Sequence, residues 1–274
     1  MYLTGKCLRL QRLFKRGSGR LFAVPMDHTF TNGPFGGANR VNELVGMLAE
    51  HGADSIVLHK GRVKFLPVEH LRRLSLIVHL SGSTALGADT NDKVLVGSVT
   101  NAVQIGADAV SIHVNIGCRT ELEQLAGFGA VADACAAWGI PLLAMMYARG
   151  ENAKDPTAPE TLAHLVAIAT DLGADIVKTD YSGSPDTMRE VVATSSVPLI
   201  VAGGSSRGSD AAVLTFVENV LAGGVSGLAV GRNIFGSKAP AHLIRAIAER
   251  VHGPTGRAAA GGPVPFDARL ASIR

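Results

Sequence analysis

One lysine of the chain stands where its amine could act as a nucleophile. Lys178 lies in the apolar run 176–179, which is typical of a buried β-strand. Burial disfavours the charged form of a lysine, and a neutral amine can attack a ketone to form a Schiff base. A buried lysine paired with Asp175 or Asp180 would explain the same position structurally. Lys60, at the end of another apolar run, competes for the nucleophilic role.

Schiff-base chemistry also requires side chains that move protons while the enamine forms. Tyr147 and Asp27 are the candidates, because each ends an apolar run of strand length. Asp27 follows Val24-Pro25-Met26, where packing gives no reason for an acidic residue. A tyrosine at a strand end can equally be a rim residue that takes no part in catalysis.

Two glycine-rich turns near the C-terminus predict a phosphate site. The first contains Gly203, Gly204 and Ser205, and the second contains Gly231 and Arg232. Backbone amides of such turns bind phosphate, and an arginine can add a bidentate contact. A pair of tight turns with a surface arginine is the alternative. The other strand-end residues that we expect to contact substrate are His28, His113 and Lys60.

Histidines end four successive apolar runs, and such a set could serve a metal-dependent hydrolase. They are His28, His59, His79 and His113. The chain contains neither an H-x-H nor an H-E-x-x-H pattern, and Cys118 belongs to no ligand cluster. We therefore predict neither a metal nor any other cofactor, and expect these histidines to contact substrate oxygens or buried polar groups.

A recurring phrase indicates the elements that must position these side chains. Gly-Ala-Asp, or a close variant, precedes a short β-rich run four times, and its glycine suits the left-handed position after a helix. The four copies begin at Gly52, Gly106, Gly173 and Gly224. Apolar runs of strand length at 21–25, 74–78, 140–144 and 197–201 bring the number of predicted strands to eight. The clearest predicted helices between them are 121–138 and 160–171.

The strands are continuously apolar rather than alternating, which is typical of a parallel sheet covered by helices. Eight alternating βα units most simply close into a (β/α)₈ TIM barrel, in which active-site groups project from the carboxyl ends of the strands. An open doubly wound sheet is the alternative, but no GxGxxG follows the first strand. The α/β class and the position of the site are therefore predicted together.

Length and composition fit one such barrel. The chain has 274 residues, of which 47% are hydrophobic, and a barrel needs about 250. We expect a single domain over residues 1–252, in which Leu10, Leu13 and Phe14 of an N-terminal segment close the bottom of the barrel, and a tail over 253–274.

The net charge and the number of cysteines indicate which binding partners and which cellular compartment to expect. The net charge of +3 and the absence of an apolar run of about 20 residues favour neither nucleic acid nor membrane as a partner. Three cysteines without CxxC spacing favour a reducing, cytoplasmic compartment. We further expect a homo-oligomer that acts on a small phosphorylated molecule.

Nine short motifs, in one order along residues 8–252, resemble those of the archaeal-type class I aldolases. They are VPMDH (24–28), NGP (32–34), LHKG (58–61), HLSG (79–82), AVSIHVN (109–115), MMY (145–147), ADIVKT (174–179), AGG (202–204) and VGRNIF (230–235). Within that family the chain is most similar to the 2-amino-3,7-dideoxy-D-threo-hept-6-ulosonate synthases, whose acceptor is L-aspartate semialdehyde. The resemblance implies that Lys178 forms the Schiff base and that Tyr147 and Asp27 transfer protons. It also implies that phosphate binds the backbone around residues 203–204 and 231–232.

The resemblance leaves the donor substrate open. Ser205-Ser206 stands where the family usually has Pro-Lys, so a lysine is missing from the phosphate side, where Arg207 is the available substitute. Some bacterial relatives use dihydroxyacetone phosphate and the archaeal enzymes use a deoxyketohexose phosphate; we expect dihydroxyacetone phosphate. Fructose-bisphosphate aldolases resemble the chain more distantly. A metal-dependent barrel hydrolase and a catalytically silent phosphate-binding barrel are the alternatives of other classes.

Overall fold

Eight parallel strands close into a barrel in the computed structural model, which describes residues 4–14 and 17–253. The barrel strands are β1 Leu21–Pro25, β2 Ser55–His59, β3 Ser75–His79, β6 Ala109–Ile116, β7 Leu142–Ala148, β8 Ile176–Thr179, β9 Leu199–Ala202 and β10 Gly227–Ala229. Around the barrel they follow the order β1-β10-β9-β8-β7-β6-β3-β2. The predicted TIM barrel is confirmed. The structure adds an antiparallel pair, β4 Ser81–Gly82 and β5 Val94–Leu95, which the sequence reading missed.

Helices surround the barrel and link its strands. They are α1 Thr4–Leu13, α2 His28–Asn32, α3 Arg40–His51, α4 Lys60–Val63, α5 Val68–Leu71, α6 Val99–Gln104, α7 Glu121–Trp138, α8 Pro159–Asp171, α9 Pro185–Ala193, α10 Asp210–Ala222, α11 Arg232–Phe235 and α12 Pro240–His252. Over the stretches that the structure describes, none of them is long and apolar enough to cross a membrane. The expected C-terminal tail lies, except for Gly253, outside the described residues.

Two layers of apolar side chains explain why the strands are apolar on both faces. One layer packs between the strands and the outer helices. The other fills the barrel interior and includes Leu143, Ile176 and Ile200, with Leu10, Leu13 and Phe14 from the N-terminal segment in the same cluster. Because side chains of a strand alternate between its faces, the position two residues after an interior one points inward again. This alternation turns Lys178, two residues after Ile176, into the barrel.

The aspartates of the recurring phrase stabilise the barrel at the amino ends of its strands. Asp54, Asp108 and Asp175 each accept a hydrogen bond from a backbone N–H at the start of the preceding strand. The donors are Phe22 N at 2.8 Å, Leu76 N at 3.0 Å and Leu142 N at 2.9 Å. Two of these carboxylates also pair with basic residues of α1: Lys6 lies 2.9 Å from Asp175, and Arg12 lies 3.1 Å from Asp108. The repeat therefore has a structural role, and so do two N-terminal basic residues.

Candidate active site

A cavity of about 270 Å³ opens at the carboxyl ends of the strands. Six residues singled out in the sequence line it: Asp27, His28, His113, Tyr147, Lys178 and Arg232. The remaining lining residues are Thr31, Asn32, Thr90, Asn91, Lys93, Asn115, Met145 and Arg149. The fold thus gathers residues that lie more than 200 positions apart in the chain into one small space.

Lys178 lies deep in this cavity. Its side chain is 7% exposed, and Nζ donates to the thioether of Met145, the residue beside it on β7, at 3.7 Å. Asp175 is not its partner, since that carboxylate precedes the first residue of β8 and pairs with Lys6 of α1. Among the residues that the structure describes, Lys178 has no carboxylate within ion-pair distance. The ion-pair explanation of its burial therefore lacks a partner.

Asp27, the residue before α2, lies between two histidines. Its Oδ1 is 3.9 Å from His28 Nδ1, and its Oδ2 is 3.9 Å from His79 Nε2. Burial raises the pKa of the Asp27 carboxyl, but His79, His28 and Lys178 outweigh burial and lower the pKa to about 2. Asp27 is therefore a carboxylate at neutral pH. Its Oδ1 is buried and has no hydrogen-bond partner in the described part of the chain.

Tyr147 is packed between a neutral ring and a cation. The ring of His113 lies 4.8 Å from it, and the Arg149 guanidinium lies 4.7 Å over its face. Burial holds the pKa of His113 well below its usual range. Asn115 donates from Nδ2 to Asn91 O at 2.9 Å, so its Oδ1 accepts from His113 Nε2 at 2.8 Å. His113 therefore carries its proton on Nε2 and leaves Nδ1 as an acceptor.

The two glycine-rich turns are joined by side chains of the second turn. Arg232 donates to Gly204 O at 3.0 Å. Asn233, buried beside it, donates to Gly203 O at 3.3 Å and to Ser205 O at 3.2 Å. Arg232 reaches the cavity, whereas Gly203, Gly204, Ser205 and Gly231 are not among the residues that line it. These residues thus form one connected rim next to Lys178.

Glycine at position 231 follows from close packing. A Cβ there would lie 2.3 Å from Pro25 O, closer than any side chain could approach. Gly204 adopts φ +72°, a left-handed conformation that favours glycine. The backbone of both turns is therefore fixed by the fold, and this provides the rigid amides that an anion site needs.

Lys60 does not join this group. Strand β2 ends at His59, and Lys60, the first residue of α4, is exposed and is not among the residues that line the cavity around Lys178. It lines a separate cavity of about 620 Å³ together with Arg62, Phe65 and Phe30. The expectation that Lys60 binds substrate beside Lys178 has no support in this geometry.

Lys93 and Asn233 are two polar residues to which the sequence analysis gave no role. Lys93 lies between β4 and β5, a pair too short to leave a pattern, so no strand end pointed to it. Asn233 follows Arg232 inside the VGRNIF motif, and its adjacency to the predicted phosphate turn was the signal that could have found it. Both residues hold the cavity wall in place through hydrogen bonds.

His79, the buried histidine 3.9 Å from Asp27, should make the free energy of unfolding depend on pH. Burial lowers the pKa of His79 from 6.5 to about 4, against the opposing charge of Asp27. Between these values the unfolded chain takes up a proton that the folded protein does not. The free energy of unfolding therefore falls as the pH falls from 6.5 to 4. We expect His79→Gln to reduce that loss by roughly 3 kcal/mol, measured by urea unfolding across this range.

The control for this measurement is a solvent-exposed histidine. His242→Gln should leave the slope of unfolding free energy against pH unchanged, because His242 lies on the outer face of α12. Other histidines of the cavity, such as His28 and His113, also have lowered pKa values and contribute to the slope in every variant. An identical slope in His79→Gln and in the parent would contradict the prediction.

A closed parallel barrel with a buried lysine and an ionised carboxylate at its carboxyl end defines an enzyme of the TIM-barrel type. Residues 21–237 match the model of the DeoC/LacD family aldolases. The chain belongs to this family. Among the residues that the structure describes, no three His, Cys, Asp or Glu side chains are placed to hold a metal ion. The match to an aldolase family supports the aldolase prediction over the hydrolase and the silent-barrel alternatives.

Relatives along nearly the whole chain agree with this assignment. A Streptomyces griseus protein named 2-amino-4,5-dihydroxy-6-oxo-7-(phosphonooxy)heptanoate synthase is 47% identical over 258 residues, 94% of each chain. The 2-amino-3,7-dideoxy-D-threo-hept-6-ulosonate synthase 1 of Archaeoglobus fulgidus is 44% identical over 252 residues, 92% of this chain and 93% of its own. The resemblance drawn from the nine motifs is confirmed.

Solved structures place the chain among the Schiff-base aldolases. An archaeal fructose-1,6-bisphosphate aldolase with its catalytic lysine covalently bound to a carbinolamine intermediate superposes with a TM-score of 0.83 at 29% identity. That likeness covers 90% of this chain and all of the other. The enzyme is a class I aldolase, as the sequence predicted.

Proposed function

We propose that this aldolase joins dihydroxyacetone phosphate to L-aspartate 4-semialdehyde and forms an amino-heptulosonate phosphate. The observation that carries the proposal is the cavity itself, which a buried lysine, an ionised carboxylate and cationic side chains line together. A ketone phosphate needs an amine for its carbonyl and cations for its phosphate. Both are present within one space of about 270 Å³.

The name of the Streptomyces griseus relative supports this pair of substrates. In 2-amino-4,5-dihydroxy-6-oxo-7-(phosphonooxy)heptanoate, carbons 5 to 7 carry the hydroxyl, ketone and phosphate of dihydroxyacetone phosphate. Carbons 1 to 4 carry the carboxylate, amine and former aldehyde of aspartate semialdehyde. The aldol bond of that product therefore joins carbons 4 and 5. High identity over 94% of both chains supports the same substrates here.

In the proposed mechanism, Lys178 is the nucleophile. Its Nζ attacks the ketone carbon, and loss of one water gives an iminium. A proton then leaves the hydroxymethyl carbon, and the resulting enamine attacks the aldehyde carbon to form the new bond. The aldehyde oxygen takes up a proton, and one water hydrolyses the iminium to release the product and free Lys178.

Asp27 and Tyr147 divide the supporting roles. A carboxylate with a pKa of about 2 is a weak base, because proton transfer is most efficient when the pKa lies near the working pH. It stays ionised beside Lys178 and is suited to stabilise the iminium cation. Tyr147 lines the same cavity and is the better candidate for the proton donor and acceptor. Tyr147 thus keeps the proton-transfer role expected from the sequence, whereas for Asp27 an electrostatic role replaces the expected proton transfer.

The proposal is tested by the product. Purified protein is incubated with dihydroxyacetone phosphate and L-aspartate semialdehyde in the presence of EDTA, and the seven-carbon product is identified by NMR and mass spectrometry. A deoxyketohexose phosphate, the donor expected for an archaeal-type synthase, serves as the competing substrate. Turnover of that donor alone would refute the assignment of dihydroxyacetone phosphate. A cytoplasmic location and assembly into a homo-oligomer remain predictions.

We expect Tyr147→Phe to slow turnover by about 10²-fold while changing the KM for dihydroxyacetone phosphate little. The phenol ring packs against His113 and Arg149, and phenylalanine retains that packing while removing the proton. Steady-state kinetics measures the change in kcat, and borohydride trapping checks that the lysine still reacts. An unchanged kcat would make Tyr147 a rim residue.

A further inference from the structure

Cations line the cavity on two opposite sides. Arg232 follows β10, whereas Lys93 lies in the segment between β3 and β6. In the closed order of strands, β6 is four strands away from β10, which is half of the barrel. Lys93 therefore lies across the mouth from Arg232, and Lys178 on β8 lies between them along one side.

Arg149 extends the Lys93 side of the cavity. It follows β7, the strand next to β6, and its guanidinium lies over the Tyr147 ring. Arg149 and Lys93 are close enough that the charge of Arg149, after burial, lowers the pKa of Lys93. Asp27 and Asp89 are the carboxylates whose charges oppose this. Within residues 4–14 and 17–253, neither cation has a carboxylate at ion-pair distance.

Lys93 is held in position by neutral groups. Its Nζ donates to Ser83 Oγ at 2.6 Å, and that hydroxyl donates to Thr90 O at 2.6 Å. The same segment is attached to the barrel through Asn91 O, which accepts from Asn115 and from Gln124. A half-buried ammonium fixed this firmly, without a paired carboxylate, is suited to bind an anion.

We propose that Lys93, assisted by Arg149, binds the carboxylate of the acceptor aldehyde and so selects acceptors that carry one. The inference rests on the proposed function, because it needs a ketone phosphate bound at Arg232 and activated at Lys178. With the phosphate at one side of the mouth, the growing carbon chain extends from Lys178 towards the other. The far end of a seven-carbon product, its carboxylate, then reaches the wall that contains Lys93.

The test compares three aldehydes at a fixed concentration of dihydroxyacetone phosphate. L-Aspartate semialdehyde carries the carboxylate and the amine, succinate semialdehyde keeps only the carboxylate, and propanal has neither. The parent enzyme should prefer succinate semialdehyde to propanal. In Lys93→Met we expect kcat/KM to fall about 10- to 100-fold for both carboxylated aldehydes and to stay unchanged for propanal. Lys93→Arg should restore the preference in part.

Two controls separate recognition from a merely structural role. Ser83→Ala removes the hydrogen bond to Lys93 but keeps the charge, so the preference should persist. Arg62→Met removes a cation from the neighbouring cavity of about 620 Å³ and should also leave the preference intact. An equal loss for all three aldehydes in Lys93→Met would overturn the inference, as would no loss at all or a parent enzyme without the preference.

The failure of this inference can be distinguished from failure of the proposed function. Borohydride trapping with dihydroxyacetone phosphate needs no acceptor, so it reports on Schiff-base formation independently of acceptor binding. If the parent and Lys93→Met form the same adduct while the acceptor preference is absent, the proposed function stands and the carboxylate assignment is wrong. If the parent forms no adduct, the proposed function itself fails.

Discussion

The Lys178→Ala variant is expected to form no borohydride-stable adduct with dihydroxyacetone phosphate and to lose turnover by on the order of 10⁵-fold or more. The reason is that the covalent step requires an amine at the ketone carbon, and alanine supplies none. Lys178 is the amine buried inside the barrel, 7% exposed, and its Nζ donates a hydrogen bond to the thioether of Met145. Trapping is followed by intact mass, and the adduct is located by peptide mapping.

The matched control is a lysine outside the cavity. Lys64→Ala removes an exposed amine that lies over the Phe65 ring, and it should leave both the adduct and the turnover as in the parent. Two other lysines are the alternatives that peptide mapping resolves. An adduct on Lys93, which lines the same cavity, or on Lys60, which lines the neighbouring one, would show that Lys178 is not the nucleophile.

Much of the fold could be predicted because each barrel strand leaves a local signal. A glycine after a helix followed by an apolar run recurs along the chain, and every run became a barrel strand, with α7 beginning and ending where expected. The β4–β5 pair could not be predicted, since two-residue strands have no periodicity to detect. Their pairing depends on Ser81 and Gly82 meeting 94–95 in space, which no local pattern encodes.

The candidate site was predictable where strand alternation and strand ends determine it. Lys178 and Tyr147 point inward because residues two positions earlier, Ile176 and Met145, do so. Lys60 shows the limit of this reasoning, since it is one residue past the end of β2 and the direction of its side chain depends on how α4 begins. Lys93 could not be predicted by this reasoning, because it lines the cavity from the segment between β4 and β5 and not from the end of a barrel strand.

Dihydroxyacetone without its phosphate is expected to be a poorer donor than dihydroxyacetone phosphate by about 10²- to 10⁶-fold in kcat/KM. Two or three charge-assisted hydrogen bonds to a phosphate contribute about 1.5–3 kcal/mol each, and every 1.4 kcal/mol is about tenfold. The anchored phosphate also holds the ketone carbon against Lys178. For the donor without a phosphate, KM should therefore rise and kcat should fall. Steady-state kinetics with saturating L-aspartate semialdehyde measures the ratio of the two donors.

Arg232→Ala separates phosphate binding from a role in holding the two turns together. Arg232 donates to Gly204 O, so its loss could simply loosen the rim. Loosening would harm both donors alike, whereas loss of a phosphate contact lowers kcat/KM by about 10- to 100-fold for the phosphorylated donor alone. Arg250→Ala is the control: Arg250 lies on α12, pairs with Glu218 at 2.7 Å and is not among the residues that line the cavity. The ratio of kcat/KM between the phosphorylated and the unphosphorylated donor should therefore narrow in Arg232→Ala and stay constant in Arg250→Ala. Equal use of both donors by the parent would remove the phosphate site from the mechanism, and the chemistry at Lys178 would have to proceed without an anchor.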